Sequence, residues 1–296
     1  MTDATILIPT FRHAALVPYS LRSALTQEGA VIEVFVVGDG VEEDTRVALA
    51  PFLSDPRVRF FDFPKGERNG ELSRHEALQE ASGRIVCYLS DDDLLLRDHV
   101  TEMARLLDGA DFAHSAPLFV MPDGSLMYAP VDVARPRFQA LLRRGDWNHI
   151  SLTGAAHTLA AYRRLPHGWR PAPHGIWSDL YMWQQLLRLP DFRGRTAKRL
   201  THLHFPDSLR RDLTVTERVA ELERWWRKME EPGFADELAT GVADATRDVA
   251  IRHEARIHEL HGLIRDIQAT RSWRLRTRLV TSWPLRVLLA ARREAR

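Results

Sequence analysis

Cysteine is nearly absent: Cys87 stands alone in 296 residues. One thiol forms no internal disulfide and leaves no material for cysteine-based zinc clusters or paired-thiol redox chemistry. Long apolar runs are absent too, and none approaches the ~18–20 residues of a membrane span. The opening MTDATILIPTFRH lacks a basic n-region and a cleavage site. The expectation is therefore a cytoplasmic protein, soluble or peripheral at the inner face of the cell membrane. An excess of either charge is missing, since 41 Lys and Arg face 40 Asp and Glu. That balance predicts no general affinity for nucleic acid.

What is present is ordinary for a globular chain, at 45% hydrophobic and 27% charged residues. The charge is unevenly placed. Residues 271–296 hold eight Arg and one acid, leaving 33 basic and 39 acidic residues in the rest. An acidic body with a basic tail behaves differently from a neutral protein.

The first half alternates strand and helix signals. Thr5 to Pro9, Val31 to Val37, Val58 to Phe63 and Arg84 to Ser90 are apolar and rich in β-branched or aromatic residues. Helical spacing fills the gaps at 14–28, from near Asp44, at 70–82 and at 97–108. Asp44 and Asn69 are expected as N-caps and Gly83 as a helix stop. This order predicts an α/β fold with a mainly parallel sheet and helices on both faces. Ligands in such sheets bind beyond the carboxyl ends of the strands. Pro9-Thr10, Gly38-Asp39-Gly40, Lys65 and Asp91-Asp92-Asp93 all follow strands, so they should converge on one edge.

Three adjacent carboxylates repel one another and need solvent or a cation. Hard oxygen ligands suit Mg²⁺ or Mn²⁺, which also bind phosphate oxygens. The bland alternative is an acidic helix start.

Taken together, ILIPTFRH (6–13), VVGDG (36–40), NGELSRHEALQEASGRIVCYLSDDD (69–93) and WSDLYMW (177–183) make the chain resemble a family 2 glycosyltransferase of GT-A fold, of the bacterial surface-polysaccharide type. The resemblance covers about residues 4–210. It implies an inverting transfer from a nucleotide-diphosphate sugar to a glycan or lipid-linked acceptor hydroxyl, with Mn²⁺ or Mg²⁺ neutralising the leaving diphosphate. By position it implies Asp93 as metal ligand, with Asp91 facing ribose or the metal. Pro9, Thr10, Arg12, Asp39, Lys65, Arg74 and Asp92 fall at the nucleotide-sugar site. Two positions depart from the family pattern: Gly38 replaces an acid, and His75 replaces an Asn.

An inverting transfer needs a base near the acceptor hydroxyl. Asp179, opening the helix of WSDLYMWQQLL, matches; its alternative is a plain N-cap. Asp146 and Asp191 sit in less fitting contexts. THLHF (201–205) is strand-like, and some family members use a late His as a further ligand, here His204. Arg210 and Arg211 are the expected diphosphate contacts. His149, His157 and His174 are further candidates for the acceptor cleft. Trp169, in the Pro/Gly-rich LPHGWRPAPHG, and Trp177 are the expected acceptor contacts, while the other tryptophans suit the core.

The reading divides the chain into a catalytic domain (1–210, with a nucleotide-sugar half 1–110 and an acceptor half 111–210), a helical extension (211–270) and a basic amphipathic tail (271–296). Ile257, Leu260, Ile264 and Ile267 recur at helical spacing, which suits a helix hairpin or a homodimer through the extension. In the tail, arginines alternate with Trp273, Trp283 and leucines, as in a segment lying on an anionic membrane; Pro284 should kink it. Two other classes stay open. A nucleotidyltransferase also needs acids beside a nucleotide, but IPTFRHAAL lacks the glycine-rich phosphate loop it should carry. A degenerate fold serving as a membrane or assembly adaptor would not need Asp39, Asp93 and Asp179.

Overall fold

A computed structural model of the chain describes residues 2–116, 118–145 and 147–281. The first half runs β1 (Ala4–Thr10), α1 (Val17–Leu25), β2 (Ile32–Asp39), α2 (Glu43–Leu49), β3 (Val58–Phe63), α3 (Glu71–Gln79) and β4 (Ile85–Tyr88). β1 pairs in parallel with β2 and with β4, and β2 pairs in parallel with β3. Strand residues alternate between faces. Ile6, Ile8, Val34, Val36 and Cys87 therefore bury on one face with α1, while Leu7, Phe35, Val37 and Tyr88 bury on the other with α3. A sheet covered on both sides explains why these strands read as continuous apolar runs.

The chain continues through β5 (Leu94–Leu95), α4 (His99–Leu106), β6 (Phe112–His114), β7 (Leu118–Val120), β8 (Leu126–Tyr128), α5 (Pro136–Arg144), β9 (Ala155–Thr158), α6 (Leu159–Arg163), α7 (Ser178–Leu187), β10 (Gly194–Thr196) and β11 (His202–Leu203). The main sheet has the order β10-β6-β9-β4-β1-β2-β3. Strand β9, between β6 and β4, is antiparallel to both. This mixed but mostly parallel sheet with flanking helices is the GT-A arrangement. A two-stranded sheet, β5 with β11, ties the segment after the three aspartates to the end of the second half.

Then come α8 (Val215–Met229), α9 (Phe234–Ala269) and α10 (Arg271–Thr281). Thr214 and Glu217 form a capping box that starts α8. Leu222 and Trp225 of α8 and Phe234 and Leu238 of α9 share a core with Leu16, Leu94, Leu118 and Phe205. The compact units consequently divide at Ala245 and Thr246, not near residue 210. Helix α8 and the start of α9 are part of the first unit because they cover apolar surface that β5, β7 and β11 would otherwise expose. In the second unit, Ile257, Leu260, Ile264 and Ile267 are all exposed. No helix among the described residues is long and apolar enough to cross a membrane. Trp283, Pro284 and the rest of 282–296 lie outside the described residues.

All three expected helix signals have other jobs. Asn69 precedes the residue that caps α3, which is Gly70. Helix α2 starts after Glu42, and the Asp44 carboxylate accepts from the Thr45 amide within the first turn. Gly83 lies beyond the end of α3, where a Cβ would stand 2.3 Å from the Thr5 amide nitrogen. Close approach to β1 is what requires glycine there.

Candidate active site

The carboxyl ends of β1, β2 and β4 and the start of α7 border one cavity of about 690 Å³. Pro9, Thr10, Arg12, Asp39, Arg74, Asp91, Asp92, Trp177 and Asp179 line it, together with His13, Arg68, Asn69 and Asp207. The strand-end sets named from the sequence do meet, although Lys65 does not itself line the cavity and touches it through Asp39, Arg68 and the Phe11 ring.

The β1 exit turns at Arg12, which has φ +58°. That turn sets the Phe11 amide on the Asp91 carboxylate at 3.3 Å and lets His13 Nδ1 donate to Asp91 at 2.8 Å. Burial pulls the His13 imidazole down, but the Asp91 hydrogen bond and the charges of Asp91 and Asp92 outweigh it and raise it to about 9.

Asp39, at the end of β2, accepts from Lys65 Nζ at 2.6 Å and from the Gly66 amide at 2.7 Å. Lys65 also donates to the Gly66 and Arg68 carbonyls. It is therefore an anchor for the Asp39 loop, and the expected direct nucleotide contact is corrected: its ammonium is already shared among three acceptors. Asp39 in turn rests on Gly70, the left-handed residue that caps α3 with φ +68°. A Cβ there would lie 2.6 Å from Asp39 Cγ.

Arg74 projects from α3 and is 7% exposed. Its Nη2 donates to the Asn69 carbonyl at 2.6 Å, and its guanidinium lies 4.8 Å above the Trp169 ring. Burial pulls its pKa down from the usual arginine value. Two buried polar atoms of cavity residues have no hydrogen-bond partner among the described residues: Arg74 Nε and Thr10 Oγ1. Orphaned buried donors are costly, and a bound ligand would relieve them.

The three aspartates diverge after β4. Asp93 is fully buried: its Oδ2 accepts from Thr153 Oγ1 and from His204 Nδ1, the latter at 2.7 Å, and its Oδ1 accepts from the Phe205 amide at 2.7 Å. Burial alone would raise this carboxyl, but the His204 charge and these hydrogen bonds hold it below the usual range. Asp93, expected as the metal ligand, therefore stands behind the cavity wall: its oxygens are engaged inside the protein and it does not line the cavity. The same holds for His204. Burial lowers its imidazole, but Asp93 outweighs that and raises it.

Asp92 faces the cavity instead. Burial and the charges of Asp93 and Asp91 push its carboxyl up to about 7, against the opposing charges of His13 and His204. Arg218 Nη2 donates to its Oδ2 at 2.7 Å. Asp92, His13 and Asp207 carry potential ligand atoms that all lie within 4.8 Å of one another. One imidazole and two carboxylates suit a divalent cation such as Mn²⁺ or Mg²⁺, so the donor set fits the expected metal, with different members. Asp91 is held by His13 and Phe11 and belongs to the cavity wall rather than to this set.

Asp179 is the second residue of α7. Its Oδ1 accepts from the Leu180 amide at 2.7 Å and from Asn148 Nδ2 at 3.2 Å. Burial outweighs these bonds and raises its carboxyl. Ser178 donates to Glu71 at 2.6 Å, which ties the starts of α7 and α3 together. Trp177, 54% exposed, stands at the rim.

Other expectations fail for identifiable reasons. Trp169 is 1% exposed, and its Nε1 donates to the Tyr88 hydroxyl at 2.8 Å, so it supports Arg74 from below and cannot reach an acceptor. Arg210 is buried and forks onto Glu221, with Nε to Oε2 and Nη2 to Oε1 both at 2.7 Å, which leaves nothing for a diphosphate. Arg211 is exposed and does not line the cavity. His157 is buried in β9 against Tyr88, so it lines no cleft. Asp191 lies in a separate concavity beside Asp111 and Arg193, and Asp146 lies outside the described residues. The sequence reading missed His13, Asp207 and Arg218. His13 was within a quoted motif and Asp207 directly follows THLHFP, but nothing marked Arg218.

The pattern of the family described as Glycosyl transferase family 2 matches residues 5–167. The succinoglycan biosynthesis protein ExoO of Rhizobium meliloti is 32% identical over 108 residues, 36% of this chain and 30% of that protein. A Campylobacter jejuni GalNAc(5)-diNAcBac-PP-undecaprenol beta-1,3-glucosyltransferase is 27% identical over 97 residues, 32% of this chain and 31% of that protein. The matched segment thus spans about a third of each of these relatives. Among solved structures, S. aureus TarS in complex with UDP-GlcNAc superposes with a TM-score of 0.55 at 14% identity, covering 69% of this chain and 58% of that one. That likeness shows the fold, and the sequence match spans more than half of the residues. The chain belongs to glycosyl transferase family 2.

Proposed function

We propose that this protein transfers a glycosyl unit, with inversion, from a nucleotide-diphosphate sugar to a hydroxyl of a glycan or lipid-linked acceptor, in the synthesis of a bacterial surface polysaccharide. The observation that carries this reading is the cavity with two unsatisfied buried groups, Thr10 Oγ1 and Arg74 Nε, between a carboxylate cluster and a buried acid. Thr10 and Arg74 offer donors to a nucleotide and its phosphates. Asp179, its carboxyl raised by burial, is the base that takes the acceptor proton. Asp92, Asp207 and His13 would hold Mn²⁺ or Mg²⁺, which when bound neutralises charge on the departing diphosphate. Trp177 at the rim is the proposed acceptor contact. The matched relatives that make succinoglycan and act on an undecaprenyl-linked saccharide support the acceptor class.

The peripheral roles belong to the same proposal. The basic tail of 271–296 would meet an anionic membrane surface, where a lipid-linked acceptor resides. The exposed stripe of Ile257, Leu260, Ile264 and Ile267 would pair with a second copy.

A hydrolysis and transfer screen with UDP-, GDP- and dTDP-sugars, with and without Mn²⁺, tests the core reading. Turnover of one donor that needs the cation and disappears in Asp92→Asn is expected. Failure of every donor under every condition would point to an adaptor and refute the proposal.

A further inference from the structure

Arg218 belongs to α8, outside every motif of the family resemblance. Its Nη2 donates to Asp92 at 2.7 Å and its Nη1 donates to Asp207 at 3.0 Å. Its side chain is 12% exposed and that of Asp92 is 10% exposed. One guanidinium therefore bridges two of the three groups that fit a divalent cation. The helix that carries it is fixed by buried Leu222 and Trp225 and by the Arg210–Glu221 pair. The Arg218 side chain, in contrast, touches the site through its tip and has rotatable bonds along its stem.

Charge accounting explains the arrangement. Asp91 is answered by His13. Asp92 and Asp207 need another positive charge, and a cation and Arg218 compete for them. Both cannot hold the same carboxylate oxygens at full strength. The fork that spans two carboxylates also matches two oxygens of a diphosphate, so a phosphate-bearing ligand would give Arg218 a new partner beside the old one.

We propose that Arg218 is a resident counter-ion that couples cation binding to diphosphate binding: it occupies Asp92 and Asp207 when no donor is bound, and passes to the diphosphate when cation and donor arrive together. The proposal rests on the cation reading given above. Each ligand then tightens the other by the same factor, because both are favoured by the one displaced state. A cation without a diphosphate binds weakly, which protects the site from filling unproductively.

The test measures Mn²⁺ binding to the full chain by calorimetry, alone and as the Mn²⁺–pyrophosphate complex, for the unaltered protein, Arg218→Gln and Asp92→Asn. Arg218→Gln should bind Mn²⁺ alone about tenfold more tightly and Mn²⁺–pyrophosphate about tenfold more weakly, a coupling within the usual range. Asp92→Asn should lose Mn²⁺ binding in both settings. If Arg218 merely staples α8 to the aspartate segment, Arg218→Gln would weaken both or neither, and the proposal falls. Absence of Mn²⁺ binding in the unaltered protein and in Arg218→Gln alike would overturn the cation reading and this proposal with it. Equal, Asp92-dependent Mn²⁺ binding in those two proteins would overturn the proposal alone. A melting curve for each variant establishes that the protein measured is folded.

Discussion

Arg210→Met separates a structural arginine from a phosphate-binding one. Arg210 is 2% exposed and Glu221 is 5% exposed, and the guanidinium also donates to the Val120 carbonyl at 2.9 Å and packs 5.3 Å from the Phe205 ring. Methionine keeps much of the stem volume but leaves the Glu221 carboxylate buried without its partner. Breaking a buried pair in this way costs about 3–5 kcal/mol. For a compact unit of this size, about 2–4 °C of Tm accompanies each kcal/mol, so calorimetry should show a fall of about 6–20 °C. The double variant Arg210→Met/Glu221→Leu removes both charges and should recover most of that loss, short of the hydrogen bond to Val120. The double-mutant cycle then gives a coupling of about 2 kcal/mol or more. A Tm within about 2 °C of the parent, combined with a large loss of nucleoside-diphosphate affinity, would refute the structural assignment and restore Arg210 to the donor site.

Two further substitutions probe the cavity. Asp179→Asn should lower kcat by about 10²–10⁴-fold while raising Tm at neutral pH. The folded-state pKa of Asp179 is raised above its unfolded value, so its contribution is complete at low pH and declines as pH rises; an uncharged amide avoids that decline. The same raised value predicts an activity limb that climbs with pH above the ordinary carboxylate range, and a variant that keeps the limb would exclude Asp179 as the base. Gly70→Ala puts a Cβ against Asp39 Cγ at a φ of +68°. It should cost about 1–2 kcal/mol of stability by chemical denaturation and raise the KM for donor, and an unchanged KM would detach Asp39 from the nucleotide.

The nucleotide half of the fold was legible because its strands are buried on both faces and separated by helical spacing, which periodicity detects directly. The acceptor half was not. Its strands β6, β7 and β8 have three residues each. Such short strands carry no usable period, and the antiparallel insertion of β9 between β4 and β6 is a tertiary choice. Within the site, three adjacent aspartates look alike in sequence. Which of them turns inward is decided by Thr153, His204 and Phe205, at separations of 60, 111 and 112 residues. Trp169 read as exposed because its neighbours are Pro and Gly, yet the Tyr88 hydroxyl offers it a buried partner. Arg210 and Arg211 were equivalent as a pair until Glu221, on α8, claimed one of them.

The anchoring of Asp93 also sets an order of events during synthesis. When Asp93 is added to the growing chain, the Phe205 amide that will hold it is still 112 residues from being made. At about 5–20 residues per second, that gap is roughly 6–20 s. The parallel strands β1 to β4 have already emerged by then, with their carboxyl ends and the acidic segment still open. Active-site assembly is therefore a late step in the biosynthesis of this unit. A nascent chain arrested before residue 205 should present Asp91, Asp92 and Asp93 together to solvent, as an acidic surface that the finished protein divides between its interior and its cavity.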